Sequence, residues 1–171
     1  MYAMEQGSSR LRWSIIYAIG HAAAQHLEVL ETALSDPDDY TACAAAQHLG
    51  SSGDPRAGPV LLEHVRPFHA KDPRFPLRLA VVQALGELRF ADATEALIEV
   101  LWTTTFLDRR SNDVLRLAAA EALVRIGTER ALSMVADRIE AERSHKIRKL
   151  AMRVARVLRL SAERRVEIHV P

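Results

Sequence analysis

The chain is poor in the residues that usually announce a chemistry. Its 171 residues contain one cysteine, Cys43, so neither a disulfide framework nor a cysteine-built metal site can form. Flanked by alanines, that thiol is expected to be buried and inert. Aromatic residues make up only 5%, and no glycine-rich phosphate loop, nucleophile elbow or Cys-His arrangement is present. No apolar run approaches ~18 residues, which argues against a transmembrane helix. The first residues, MYAMEQGSSRLRW, lack the apolar centre of a signal peptide. A cytoplasmic protein is the resulting expectation.

Seven histidines are the residues that would invite a metal site. The closest pairs, His21 with His26 and His64 with His69, are five apart, a spacing that does not align two ligands on one helix. No His-Glu dipeptide occurs. No metal, no cofactor and no catalytic residue is therefore expected, and the chain reads as a non-enzyme.

What is abundant is alanine within a repeated pattern. Arg78-Leu79-Ala80 through Gly86 aligns without a gap on Arg116-Leu117-Ala118 through Val124, sharing Arg-Leu-Ala-x-x-x-Ala-Leu. In the same register Ala93 falls on Ala131, Leu97 on Val135 and Leu101 on Ile139. Residues 42–65 follow the template through Leu49-Gly50, Gly53-Asp54-Pro55 and Leu61, although Ala42 stands where the later copies have arginine. The two offsets, Leu61 to Leu97 and Leu97 to Val135, lie in the range where a period means stacked two-helix units. The pattern resembles the HEAT-like repeats of the phycobilin-lyase type: a basic residue, an alanine-rich first helix ending in Leu-Gly, a Gly-Asp-Pro turn and a second amphipathic helix.

The resemblance implies an all-α, right-handed solenoid of about 4.5 repeats in one domain. They are placed at roughly 9–34, 37–66, 73–104, 111–142 and a half repeat at 144–160. Asp36-Pro37, Asp54-Pro55 and Asp72-Pro73 recur at an even spacing, and each offers a side-chain acceptor with a proline at a helix start. Ser111 or Asn112, Thr128 and Ser144 are the caps expected for the later helices. In the tail 161–171, Val166, Ile168 and Val170 alternate with Glu167 and His169, which signals a short C-terminal strand.

Three places could carry function. The inner, concave face should be made by the second helices, where Glu63 and Arg66, then Glu95, Glu99 and Trp102, then Asp137 and Glu140 point away from the buried stripe. Five acids against one arginine predict an acidic groove with a tryptophan at its middle, suited to a basic segment of another protein. The same face also reads as a solvated surface. The long connections 67–76 and 103–112 should form a loop edge carrying Phe68, His69, Phe75, Phe106, Arg109 and Arg110; these phenylalanines either bind or close the core beneath their loops. Last, residues 143–165 hold nine Lys or Arg against Glu163 alone. Lys146, Lys149, Arg153 and Arg156 should line the outer face of an amphipathic helix, as a docking surface or as a polar cap.

The favoured function is a non-catalytic scaffold or assembly factor for another protein, with head-to-tail self-association a second consequence of an acidic groove and a basic tail. The family resemblance also implies two alternatives: a bilin-lyase-like subunit that handles a chromophore, or a nucleic-acid-binding relative using the basic C-terminal helix. Nucleic acid is disfavoured because the inferred groove would repel phosphate.

Overall fold

A computed structural model describes residues 8–19, 25–65, 72–104, 108–137 and 142–168, with side chains in the last segment through Arg156. The chain forms an all-α solenoid. In order, its helices are α1 (Ser9–Ile19), α2 (Leu27–Leu34), α3 (Asp39–Ser51), α4 (Ala57–Glu63), α5 (Phe75–Glu87), α6 (Thr94–Trp102), α7 (Arg109–Ile126), α8 (Glu129–Ala136) and α9 (His145–Ile168). A 3-10 turn, Ala91–Ala93, leads into α6. Odd-numbered helices up to α7 are the first helices of repeats and even-numbered ones the second.

The repeat register inferred from sequence is visible in the packing. Leu61, Leu97 and Val135 occupy equivalent positions on α4, α6 and α8, and all three are fully buried. One core runs through them from Ile16 to Val154. Alanine dominates its first-helix side, because small side chains let helix axes approach. At Gly50 and Gly86 the approach is tightest. A Cβ on Gly50 would lie 2.6 Å from the Ala84 Cα, and one on Gly86 would lie 2.6 Å from the Ala122 Cα. Leu-Gly at the end of a first helix is thus a backbone contact with the next repeat. Val124, half-buried, takes the equivalent place on α7.

Turn chemistry follows local rules, with corrections. Gly127 adopts φ 72° and closes α7 through its N–H to the Leu123 carbonyl, a conformation that glycine tolerates without strain. Thr128 caps α8 by accepting the Ala131 N–H. The Asp-Pro aspartates, however, sit before the helix starts. Asp36, Asp54 and Asp72 each accept the N–H two residues on, from Asp38, Arg56 and Arg74, and Asp38 is the N-cap of α3. Helix α7 begins at Arg109, ahead of the Ser111 or Asn112 cap expected, because Asp108 takes φ 46° and accepts the Ser111 N–H.

The C-terminal strand is overturned. Val166, Glu167 and Ile168 continue α9 as helix. Three alternating residues are too few to outweigh an established helix, in which each added residue gains a hydrogen bond without a new nucleus. His169, Val170 and Pro171 lie outside the described residues.

Candidate functional site

Of the seven residues assigned to the second-helix face, five lie among the described residues. Along α6, Glu95, Glu99 and Trp102 follow at i, i+4 and i+7, a spacing that keeps them on one stripe. Glu95 and Glu99 are exposed, and Trp102 is 50% exposed at the last position of the helix. Glu63 ends α4 and Asp137 follows α8, both exposed. Arg66 and Glu140, assigned to the same face, lie outside the described residues.

One partner on this face was not foreseen. Arg130, in the first turn of α8, donates to Glu95 of α6 with both ends of its guanidinium: Nε to Oε1, and Nη2 to Oε2 at 2.9 Å. These hydrogen bonds hold the Glu95 carboxyl below its ordinary value and the Arg130 guanidinium above its own. The acidic row is therefore partly neutralised. Glu63, Glu99 and Asp137 form no ion pair among the described residues, so the carboxylates left open fall one per repeat. Arg130 lies outside the positions assigned to this face from sequence, and only its helical phase could have revealed it.

The loop edge is redrawn. Phe75 is the first residue of α5 and is half-buried against the core; Pro76, which lacks the N–H that a first turn leaves unpaired, starts the helix at this point. Arg109 and Arg110 are exposed but belong to the first turn of α7 instead of a loop. Phe68, His69 and Phe106 lie outside the described residues.

On α9, Lys146, Lys149, Arg153 and Arg156 are all exposed, while Ile147, Ala151 and Val154 are buried. Through Arg156, these three apolar residues are taken up by the core, and the outward side shows these four cations beside the half-exposed Met152.

Buried ion pairs are the largest feature that sequence reasoning passed over. Arg116 is 5% exposed in its side chain and Glu142 1%. The guanidinium reaches both oxygens of Glu142, Nη1 to Oε1 at 3.3 Å, and its Nε donates to the Leu101 carbonyl at 2.9 Å. Glu142 Oε1 also accepts the Ser144 N–H ahead of α9. Thus one residue of the fourth repeat holds the start of the fifth. The same device recurs at the other end: Arg12 of α1 donates to Asp36 through Nε at 2.6 Å and Nη2 at 3.0 Å, and Asp36 accepts the Asp38 N–H before α3. Burial pushes the Asp36 carboxyl up, but hydrogen bonds from Arg12 and Asp38 and the charges of Arg12 and Arg74 outweigh it, leaving the group below its ordinary value. Between these ends Arg78 pairs with Asp72 of its own repeat, at 2.5 Å, as fits a preceding repeat that has Ala42 in place of arginine. The signal was in the sequence, since Arg12 and Gly20 have the same spacing as Arg78 and Gly86.

The first-helix side carries a second unforeseen feature. Trp13 and Tyr17 stack with centroids 5.3 Å apart, and Tyr17 meets the His48 ring edge-on at 6.2 Å. Tyr40 is 79% exposed. Cys43 lies nearby on α3, half-buried; burial, and secondarily the charge of Asp39, push its thiol up and keep it protonated. No group of three or more His, Cys, Asp or Glu that could hold a metal occurs among the described residues, and no helix among them is long and apolar enough to cross a membrane.

Residues 2–68 and 68–156 match the family model for HEAT repeats. The chain belongs to the HEAT-repeat family. A search of curated proteins finds no match. Proteins built of HEAT repeats are commonly scaffolds for other proteins, and the second-helix face of this member displays the open carboxylates Glu63, Glu99 and Asp137.

Proposed function

We propose that this HEAT-repeat protein is a non-catalytic, cytoplasmic scaffold, one repeat domain that binds a basic segment of another protein along its second-helix face. The observation that carries the reading is the row Glu63, Glu99 and Asp137, exposed and without ion pairs among the described residues, beside the half-exposed Trp102. Exposed carboxylates steer a basic partner and fix its register. An aromatic ring with two side-chain torsions anchors it at low entropic cost. Since α4, α6 and α8 belong to consecutive repeats, neighbouring carboxylates are separated by about one helix spacing, roughly 8–10 Å, and an extended segment covers that distance in about three residues.

The test is recovery of bound protein from the native host by the tagged chain, compared with the double variant Trp102→Ala/Glu99→Lys. Both positions are exposed, so helicity by circular dichroism should be unchanged. Loss of the partner bands is expected. Equal recovery with wild type and variant contradicts the reading.

A further inference from the structure

The chain is electrically lopsided. Its net charge is +1, yet residues 143–165 hold nine Lys or Arg against Glu163 alone, so the rest is acidic on balance. A molecule with a basic end and an acidic flank complements copies of itself. We propose that the basic partner of the second-helix face is helix α9 of a second copy of this chain, docked head to tail, an inference that rests on that face being the docking surface.

Charge, spacing and apolar content all match. Lys146 and Arg153 are seven residues apart, as are Lys149 and Arg156. On a helix that spacing separates each pair by about 10 Å along the axis and keeps it on one side. Glu63, Glu99 and Asp137 fall one per repeat, at roughly the 8–10 Å spacing of neighbouring helices. A helix laid across α4, α6 and α8 therefore brings a cation to successive carboxylates. These four cations and three carboxylates are all exposed, and none forms an ion pair among the described residues. Each surface also carries one large apolar side chain among its charges. Met152 is half-exposed between Lys149 and Arg156, and Trp102 is half-exposed one turn beyond Glu99. A thioether against an aromatic ring is a favourable contact, and apolar anchors ringed by polar groups tend to carry most of an interface's binding energy. On the opposite side of α9, Ile147, Ala151 and Val154 are buried, and Glu142 ahead of it is gripped by Arg116. The cations are thus presented on a helix already fixed in place, which lowers the cost of docking. A phosphate-bearing partner would satisfy the cations alone, whereas a second copy satisfies the carboxylate row as well. The contact is heterologous, so each copy keeps one surface of each kind open and assembly continues beyond the dimer.

Sedimentation velocity of the full chain at low salt should show a mass that rises with concentration beyond two copies. Salt at about 1 M, where the Debye length is about 3 Å, should return it to monomer. Trp102→Ala/Glu99→Lys disables the carboxylate row, and Lys149→Glu/Arg156→Glu disables the helix. All four positions are exposed, so circular dichroism should match wild type. Each double variant alone should be monomeric, and an equimolar mixture should give a dimer of one copy of each and nothing larger. A mixture that stays monomeric, or either variant assembling as wild type does, overturns the head-to-tail contact. A wild-type chain that is monomeric at low salt overturns the second copy as partner, and binding of DNA or anionic vesicles by that monomer would assign α9 to phosphate instead. If that monomer still recovers a host protein that Trp102→Ala/Glu99→Lys loses, the scaffold reading stands without self-association; if it recovers none, both fall.

Discussion

The middle of the stack and its two ends are joined differently. From α3 to α5 and from α5 to α7, the buried joint is a glycine set against the backbone of the next first helix, at Gly50–Ala84 and Gly86–Ala122, and the ion pairs that cross it, Arg74–Asp39 and Arg130–Glu95, are more than a third exposed. From α1 to α3 and from α7 to α9, the joint is a largely buried arginine that grips an acid just ahead of the following repeat's first helix, Arg12–Asp36 and Arg116–Glu142. A backbone contact fixes distance, because close-packed main chain has nowhere to move. An ion pair fixes orientation, but its strength depends on charge and on burial. Glu63 and Glu99 sit on the second helices, and Asp137 just past the end of one, in the three glycine-jointed repeats, so their spacing is set by the stiffer kind of joint.

The strongest way to break this comparison is at the C-terminal clasp. Glu142→Ala leaves the buried Arg116 with only the half-exposed Asp113 as a carboxylate partner and should cost about 3–5 kcal/mol in urea unfolding, whereas Arg116→Met/Glu142→Leu should cost less, since it leaves no buried charge uncompensated and only the Leu101 carbonyl loses its donor. In a quasi-one-dimensional stack the loss should concentrate in α9, readable as hydrogen-exchange protection. Next comes a glycine joint. Gly86→Val forces a side chain into the Ala122 backbone and should cost about 1–3 kcal/mol by overpacking; a gain in stability would show that α5 and α7 are not in contact there.

The N-terminal clasp sharpens the contrast through pH. The Asp36 carboxyl is held below its ordinary value of 3.8, so its contribution is fully present above that value and is lost as pH falls through the lower, folded value. Asp36→Asn should cost about 2 kcal/mol at neutral pH, the scale of hydrogen bonds to a charged group, and the variant's stability should fall less steeply in this acid range than wild type. The smallest effect belongs to the surface pair. Arg130→Ala should leave the urea midpoint almost where it is, because both partners are more than 60% exposed and water screens their attraction. It should also tighten binding of a basic partner by reopening Glu95. A large loss of stability would instead make that pair part of the joint.

Much of this was legible in the sequence, for a physical reason. Burial is periodic, so the register that puts Leu97 on Val135 also predicts that both are buried, as they are. The exposed stripe of Glu95, Glu99 and Trp102 follows from the same periodicity. Pairing is a different matter. Whether Arg130 reaches Glu95, or Arg116 reaches Glu142, depends on side-chain length and on the angle between repeats, neither of which a repeat pattern encodes. The arginine at the start of the template was noticed, but its meaning as a clasp needed the position of the acid it grips. The α1–α3 aromatics were missed because Trp13 and Tyr40 are distant in the chain and belong to different repeats. The C-terminal alternation misled because it was short and followed a long helix.

The claim on which the account turns is that glycine joints hold the second helices at one fixed separation. Spin labels at Glu63→Cys and Asp137→Cys, in a Cys43→Ser background that removes the one native cysteine, measure that separation between α4 and α8. The account predicts a single narrow distance distribution near twice the helix spacing, roughly 16–20 Å, that becomes longer or broader when Gly86→Val is added. A broad distribution in the parent, or one that Gly86→Val leaves unchanged, would contradict it.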